Sequence, residues 1–313
     1  MKRYLLFFMI MSAAGMARAQ QFELTSPGRK VTVFVKTSGT LSYSLVCNNK
    51  TVVLDSPLGF EFANEPAMGT GLEVTDKKTQ NIHETWQPVV PTKHSRVRND
   101  CNELRLSLKE TTGWRRRMDI CFRAFDDGIA FRYTLYRSAV IGGRKITKEL
   151  TTFRLPGNPK VWVADYGKYT SSQESEFRPL QLHDITSKTI AGLPFLAEID
   201  STMYAAITEA GIDNYPGFYI GAATNAGDTV LTTKLSPLPG ESEDGVKAQF
   251  ADLLHTPWRV IMLAGSPGRL IESDLVQNLN APCALKDISW IKPGMSAWDH
   301  WWSGDVKMDM PAI

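Results

Sequence analysis

Trp298, Asp299, His300, Trp301 and Trp302 place three indoles, a carboxylate and an imidazole within five consecutive residues. Indoles bury a large area when they pack in a core or at a seam between domains. The same rings can stack on the apolar face of a sugar, with an Asp and a His between them to take its hydroxyls. Composition leaves both readings open. A second candidate is Glu209, in Thr208 to Gly217 (TEAGIDNYPG), where an apolar strand pattern gives way to a loop. The residue pattern alone reads as a solvated turn. The sharper account is a ligand for a hard cation, since calcium prefers carboxylate and carbonyl oxygens. One carboxylate does not make such a site, so partners from elsewhere would be required.

The other polar clusters have plainer explanations. Asp126-Asp127-Gly128 stands between two alternating runs, and Asp-Gly chemistry there predicts a hairpin turn rather than an acid/base pair. Glu174 and Glu176 sit in a polar stretch that reads as a solvated loop, and Thr256-Pro257-Trp258-Arg259 reads as the structural start of a strand. The five histidines, His83, His94, His183, His255 and His300, show no metal-ligand spacing. The sequence carries no G-x-S-x-G, H-E-x-x-H, P-loop or G-x-G-x-x-G signature.

The elements that must position these groups are strands. Val31, Val33 and Val35 alternate with Thr32, Phe34 and Lys36. Leu41, Tyr43 and Leu45 follow after a Gly-containing turn, and Asn48-Asn49-Lys50 turns the chain into Thr51 to Leu54. The pattern returns at Leu104 to Leu108, Met118 to Phe125, Ile129 to Leu135, Lys160 to Val163, Met203 to Thr208, Tyr219-Ile220, Val230 to Lys234 and Trp258 to Leu263. Many short strands at such intervals predict a large, mainly β sandwich. After Leu263 the period changes: Leu270, Ile271, Leu275, Val276 and Leu279 follow helical spacing and predict a linker helix. Met295 to Trp298 again reads as a strand, and the chain stops at Ile313 without a capping element, as though a further architecture were opening there.

The 313 residues carry 35 Lys and Arg against 33 Asp and Glu, a net charge of +2. Residues 1–19 read as a secretory signal: Lys2 and Arg3, an apolar run over Leu5 to Met11, and Ala17-Arg18-Ala19 before the cut. Its removal takes three of the basic residues, so the mature chain is expected to be near-neutral. That excludes an electrostatic footprint for nucleic acid. The apolar run is shorter than the roughly 20 residues of a membrane span. Export to a periplasm, the cell surface or the medium is the expectation. Cys47, Cys101, Cys121 and Cys283 are too few and scattered for a disulfide scaffold. Cys101 and Cys121 flank a predicted hairpin, which leaves a disulfide and two buried thiols as open alternatives.

Five collinear stretches carry a resemblance. Phe122–Tyr133 (FRAFDDGIAFRY), Ile207–Tyr219 (ITEAGIDNYPGFY), Thr256–Ala264 (TPWRVIMLA), Leu270–Pro282 (LIESDLVQNLNAP) and Ser289–Trp302 (SWIKPGMSAWDHWW) resemble the N-terminal half of glycoside hydrolase family 97, the calcium-dependent α-glucosidases and α-galactosidases. The resemblance implies a galactose-mutarotase-like super-sandwich with its linker over residues 20–285, and the first segment of a (β/α)8 barrel over 286–313. It implies that Glu209 is a calcium ligand completed by barrel glutamates, and that Trp298 and Asp299 lie at the floor of the sugar pocket. His300 departs from the commoner Trp-Asp-Trp-Trp form. The catalytic carboxylates of the family belong to later barrel strands, so none is expected within this chain. The expected substrate is an α-linked oligosaccharide; a non-catalytic carbohydrate-binding or scaffold sandwich is the alternative.

Overall fold

The computed structural model describes residues 20–90, 92–137, 143–225 and 228–296. Every strand expected from alternation within them forms. The dominant element is a ten-stranded sheet. Its order from one edge is Arg178–Gln181, Lys160–Val163, Phe195–Asp200, Met203–Ala210, Trp258–Ala264, Gly128–Tyr136, Arg117–Phe125, Val97–Glu110 and Leu72–Trp86. Leu253–His255 pairs alongside the end of Gly128–Tyr136. All of its pairings are antiparallel.

Three smaller sheets complete the sandwich. Gln21–Thr25, Val31–Lys36, Ser42–Cys47 and Lys50–Pro57 form a four-stranded meander. A second sheet runs Ala248–Phe250, Arg144–Glu149, Phe60–Phe62 and Glu65–Met68, and a third runs Thr152–Phe153, Asp228–Leu235 and Phe218–Asn225. A Leu54–Arg154 bridge and the Thr233 N–H bond to the Thr151 carbonyl stitch these sheets together.

The layers meet in one continuous core. Alternation places Leu104, Leu106 and Leu108, then Ile129, Phe131, Tyr133 and Leu135, then Ile207, Ile261 and Leu263 on the inner face of the large sheet. Tyr43 reaches across to Phe122 and Phe131, with ring centroids 6.1 and 5.0 Å away, and Phe60 meets Tyr133 edge-on at 4.8 Å. Tilted and edge-on rings at such spacings add to the free energy of area burial.

The outer face of the same sheet carries a smaller apolar cluster built from Cys101, Cys121, Phe125, Ala130, Trp258 and Val260, which Leu275 and Leu279 cover. The linker that supplies these leucines differs from the expected single helix. It forms two short helices, Pro267–Ile271 and Leu275–Asn278, with a break between them. Lys93 Nζ donates to the carbonyls of Ile271 and Ser273, and His94 Nδ1 lies 2.7 Å from Asp274 Oδ2. The polar Glu272-Ser273-Asp274 step therefore finds partners in another loop, which ends the first helix where periodicity alone would continue it. Residues 286–296 form no strand, and the expected strand end at Trp298 lies outside the described residues, as does the expected signal segment, residues 1–19.

Alternation missed interior strands such as Phe195–Asp200 and Arg144–Glu149, and at the two edges of the large sheet the reason is plain. Leu72–Trp86 is mostly exposed and polar, with Asp76, Lys77, Lys78, His83 and Glu84 along it. The opposite edge strand contains Pro179. Charges and proline at an edge keep it from pairing with another chain, and they also erase the hydrophobic pattern of a strand.

The hairpin between Cys101 and Cys121 forms, but its register pairs Cys121 with Arg105, four residues beyond Cys101. Four residues of strand span about 13 Å, well beyond disulfide reach. Both thiols are free and buried.

Candidate functional site

Glu209 lies directly opposite Arg259 in the antiparallel pairing of Met203–Ala210 with Trp258–Ala264. Both residues share the parity of Ile207 and Ile261, so both side chains enter the interior of the sandwich. Arg259 Nη1 donates to Glu209 Oε2 at 2.7 Å. Its other edge meets Glu149, at the end of Arg144–Glu149 in the facing layer: Nε donates to Oε1 at 2.9 Å and Nη2 to Oε2 at 2.7 Å. The guanidinium and the Glu149 carboxylate have no exposed side-chain surface, whereas Glu209 retains 9%.

Glu149 is saturated. Besides Arg259, its Oε1 accepts the Thr151 hydroxyl at 2.8 Å and its Oε2 accepts the Tyr215 hydroxyl at 2.9 Å. With the Thr151 proton committed to Glu149, Tyr133 donates to Thr151 Oγ1 at 2.7 Å. The Phe218 ring centroid lies 4.4 Å from the centre of the Arg259 guanidinium, a distance that adds cation–π attraction. Glu209 is treated differently by its surroundings. While Arg259 holds Oε2, among the described residues its Oε1 meets only the Phe218 N–H, at a long 3.4 Å.

The titration of the three groups follows from this. Burial alone would raise the Glu149 carboxyl, but the charge and bonds of Arg259, with Thr151 and Tyr215, hold it below its ordinary value. Burial likewise works against the Arg259 charge, and the two carboxylates more than offset it. For Glu209 burial wins, pushing its carboxyl above the usual range despite Arg259. With all three charged, the trio carries one net negative charge, and Glu209 is the member nearest solvent.

The loop after Glu209 is held in place from the linker. Gly211 adopts φ +65°, a conformation that glycine accepts freely, and its N–H donates to Asn280 Oδ1 at 3.0 Å. The rim of the site thus depends on the segment leading out of the sandwich.

The calcium expectation can be tested against these donors. Calcium takes six to eight oxygens. Glu149 has no oxygen to spare, and among the described residues no three His, Cys, Asp or Glu side chains converge as a metal-binding group. Glu209 Oε1, weakly held and on the carboxylate that the neutral Glu149–Arg259 pair leaves with its negative charge, suits one ligand position of a shared cation site. The residues present fit a contribution to calcium, not the whole of its shell.

Trp298 and Asp299 lie outside the described residues, as does His300. Asp126 and Asp127 form the expected hairpin turn between Arg117–Phe125 and Gly128–Tyr136. They serve the scaffold: Asp126 Oδ1 accepts the Gly28 N–H at 2.8 Å, and Asp127 Oδ2 accepts the Ser273 hydroxyl at 2.6 Å. Glu174 and Glu176 are exposed in a loop. Sequence reasoning assigned Arg259 to a structural strand start and overlooked Glu149 and Tyr215. An arginine inside the apolar run WRVIMLA was the available signal, since a buried guanidinium requires buried carboxylates.

A family model described as Glycosyl-hydrolase 97 N-terminal matches residues 24–282, most of the chain and the whole site just described. The chain belongs to glycoside hydrolase family 97. Among curated members, this family 97 chain is 26% identical to a retaining alpha-galactosidase of Bacteroides thetaiotaomicron, over 97% of its own length and 47% of that protein. It is 28% identical to a probable retaining alpha-galactosidase of Streptomyces bingchenggensis, over 86% of itself and 38% of that protein. Among solved structures, a Glycoside Hydrolase Family 97 enzyme from Pseudoalteromonas sp. strain K8 in complex with acarbose superposes with a TM-score of 0.76 at 26% identity, over 87% of this chain and 40% of that one. The family 97 chain thus spans less than half the length of the curated relatives it matches.

Proposed function

We propose that this chain is the N-terminal portion of an exported, calcium-dependent α-glycosidase acting on α-linked oligosaccharides. Residues 20–285 are the sandwich and its linker, and residues 286–313 open the catalytic (β/α)8 barrel. The observation that carries the reading is Glu209: a carboxylate on a sandwich strand, beside the neutral Glu149–Arg259 pair, with one oxygen that has no strong partner among the described residues, in a chain matched by the family model across that whole region. Glu209 would hold calcium in part, and the ion when bound would supply positive charge beside the sugar. Trp298 and Asp299 would line the pocket floor. Within the chain, Arg259 orients Glu209, and the Gly211–Asn280 bond fixes the loop at its rim. The acid and the nucleophile or base are assigned to barrel strands beyond these residues.

The test has two parts. Sequencing the coding DNA past the codon for Ile313 is expected to show an open frame for several hundred codons; a stop codon there would overturn the catalytic reading for this product. The purified 313-residue chain, freed of its signal, is expected to turn over neither aryl α-galactosides nor aryl α-glucosides. Measurable turnover would contradict the placement of the catalytic carboxylates.

A further inference from the structure

Glu149 is a completely buried acid to which the proposed function gives no role. It does not face a ligand, since each of its oxygens already accepts two hydrogen bonds. It comes from the opposite layer to Arg259 and binds that guanidinium through two parallel bonds, the strongest geometry open to an Arg–carboxylate pair. A structural clamp between layers would be complete with those two residues alone, as a neutral pair. The third member, Glu209, makes the cluster charged.

We infer that Glu149 and Arg259 are positioning residues for the cation: Glu149 neutralises Arg259 from behind, so that Arg259 can grip Glu209 by Oε2 without cancelling its negative charge, and Oε1 is left to the ion. The inference rests on the reading of Glu209 as a calcium ligand. Its physical content is a division of labour. Arg259 alone would hold Glu209 in place and at the same time repel calcium. With Glu149 present, the cation meets a cluster whose net charge is negative and whose one weakly bonded carboxylate oxygen belongs to Glu209. Both Arg259 and Glu149 lie at 0% side-chain exposure, where water screens little of the effect. Glu209 is restricted to coordination through one oxygen, because its other oxygen is 2.7 Å from Arg259 Nη1.

The experiment measures calcium dissociation constants by calorimetry on the protein expressed from its complete reading frame, with the melting temperature in calcium-free buffer as an independent readout. Glu209→Gln, Glu149→Gln and Arg259→Lys are compared with wild type. Glu209→Gln is expected to weaken calcium binding strongly. Glu149→Gln is expected to weaken it roughly ten- to a hundredfold in the folded protein, the scale of removing one buried unit charge near a divalent ion. Arg259→Lys, which cannot reach both carboxylates with a planar fork, is expected to weaken it as well. If wild type binds no calcium, or Glu209→Gln binds it as wild type does, the calcium reading fails and this inference falls with it. If Glu209→Gln weakens binding while folded Glu149→Gln and Arg259→Lys keep the wild-type constant and lose only melting temperature, the positioning role alone is overturned. Should those two variants not fold, the calcium-loaded wild-type crystal structure decides. Oε1 on the ion with the Oε2–Arg259 bond retained is the expected result, and a carboxylate turned away from Arg259 or chelating through both oxygens overturns the inference.

Discussion

Glu149 and Arg259 stand 110 residues apart in sequence and in opposite layers of the sandwich, yet they form a doubly hydrogen-bonded ion pair with no side-chain surface left to solvent. Buried pairs of this kind contribute little net stability over apolar residues of the same volume, because desolvation offsets most of the attraction, but breaking one is costly. Arg259→Met is therefore expected to destabilise the protein by about 3–5 kcal/mol, leaving two carboxylates in the interior. Adding Glu149→Leu to it is expected to restore part of the loss. Urea denaturation of both single variants and the double checks this; losses that simply add would show that the pair is not coupled.

Asp127 predicts a pH effect. Burial raises its carboxyl above the ordinary value, against the Ser273 hydrogen bond. A raised folded-state value means that the folded protein holds this proton more tightly than the unfolded chain does. Its contribution to stability is then fully present below the unfolded value and is lost as pH rises through the folded one. Asp127→Asn keeps an oxygen for the Ser273 hydroxyl and removes the charge. It is expected to be more stable than wild type at neutral pH, with the gap shrinking towards pH 4 and below. Thermal melts across that range test it, and a pH-independent difference would contradict it.

The thiols predict a chemical result. Burial pushes both Cys101 and Cys121 up to about 12, so neither supplies thiolate at neutral pH. Cys283 is exposed. Under native conditions a thiol reagent is expected to label Cys283 quickly and the other three cysteines only after denaturation. Reductant is expected to leave the melting temperature unchanged. A mass two hydrogens lighter on denaturation without reductant would reveal a disulfide that the register excludes.

Two glycines separate crowding from backbone strain. Gly128, at φ +153°, follows the Asp126-Asp127 turn, and a Cβ there would lie 2.3 Å from the Ile261 carbonyl oxygen and 2.9 Å from Leu275. Gly39 has φ +75° and open space around it. Gly39→Ala is expected to cost about 1–2 kcal/mol from the left-handed conformation alone. Gly128→Ala is expected to cost clearly more, since backbone of the neighbouring strand must move. Equal denaturation midpoints for the two variants would refute this.

Family and strand content were legible in the residues, because both depend on local pattern. Val31 to Lys36, Met118 to Phe125, Ile129 to Leu135 and Trp258 to Leu263 announce themselves by side chains that alternate between a core and its surroundings, and Asp126-Asp127-Gly128 announces its own turn. Glu209 could be marked as a candidate because a carboxylate stood where an apolar strand ended. The edge strand Leu72–Trp86 was not legible, since an edge has little core to face and its charges guard against pairing. Nor was the separation of Cys101 from Cys121, for a hairpin can be read from its turn while its register depends on which faces are buried across the whole sheet. The meeting of Glu149, Arg259 and Glu209 was decided by tertiary structure alone. It needs one strand pairing to set Glu209 beside Arg259, and a second layer, folded from a distant segment, to bring Glu149 to the other side of the same guanidinium.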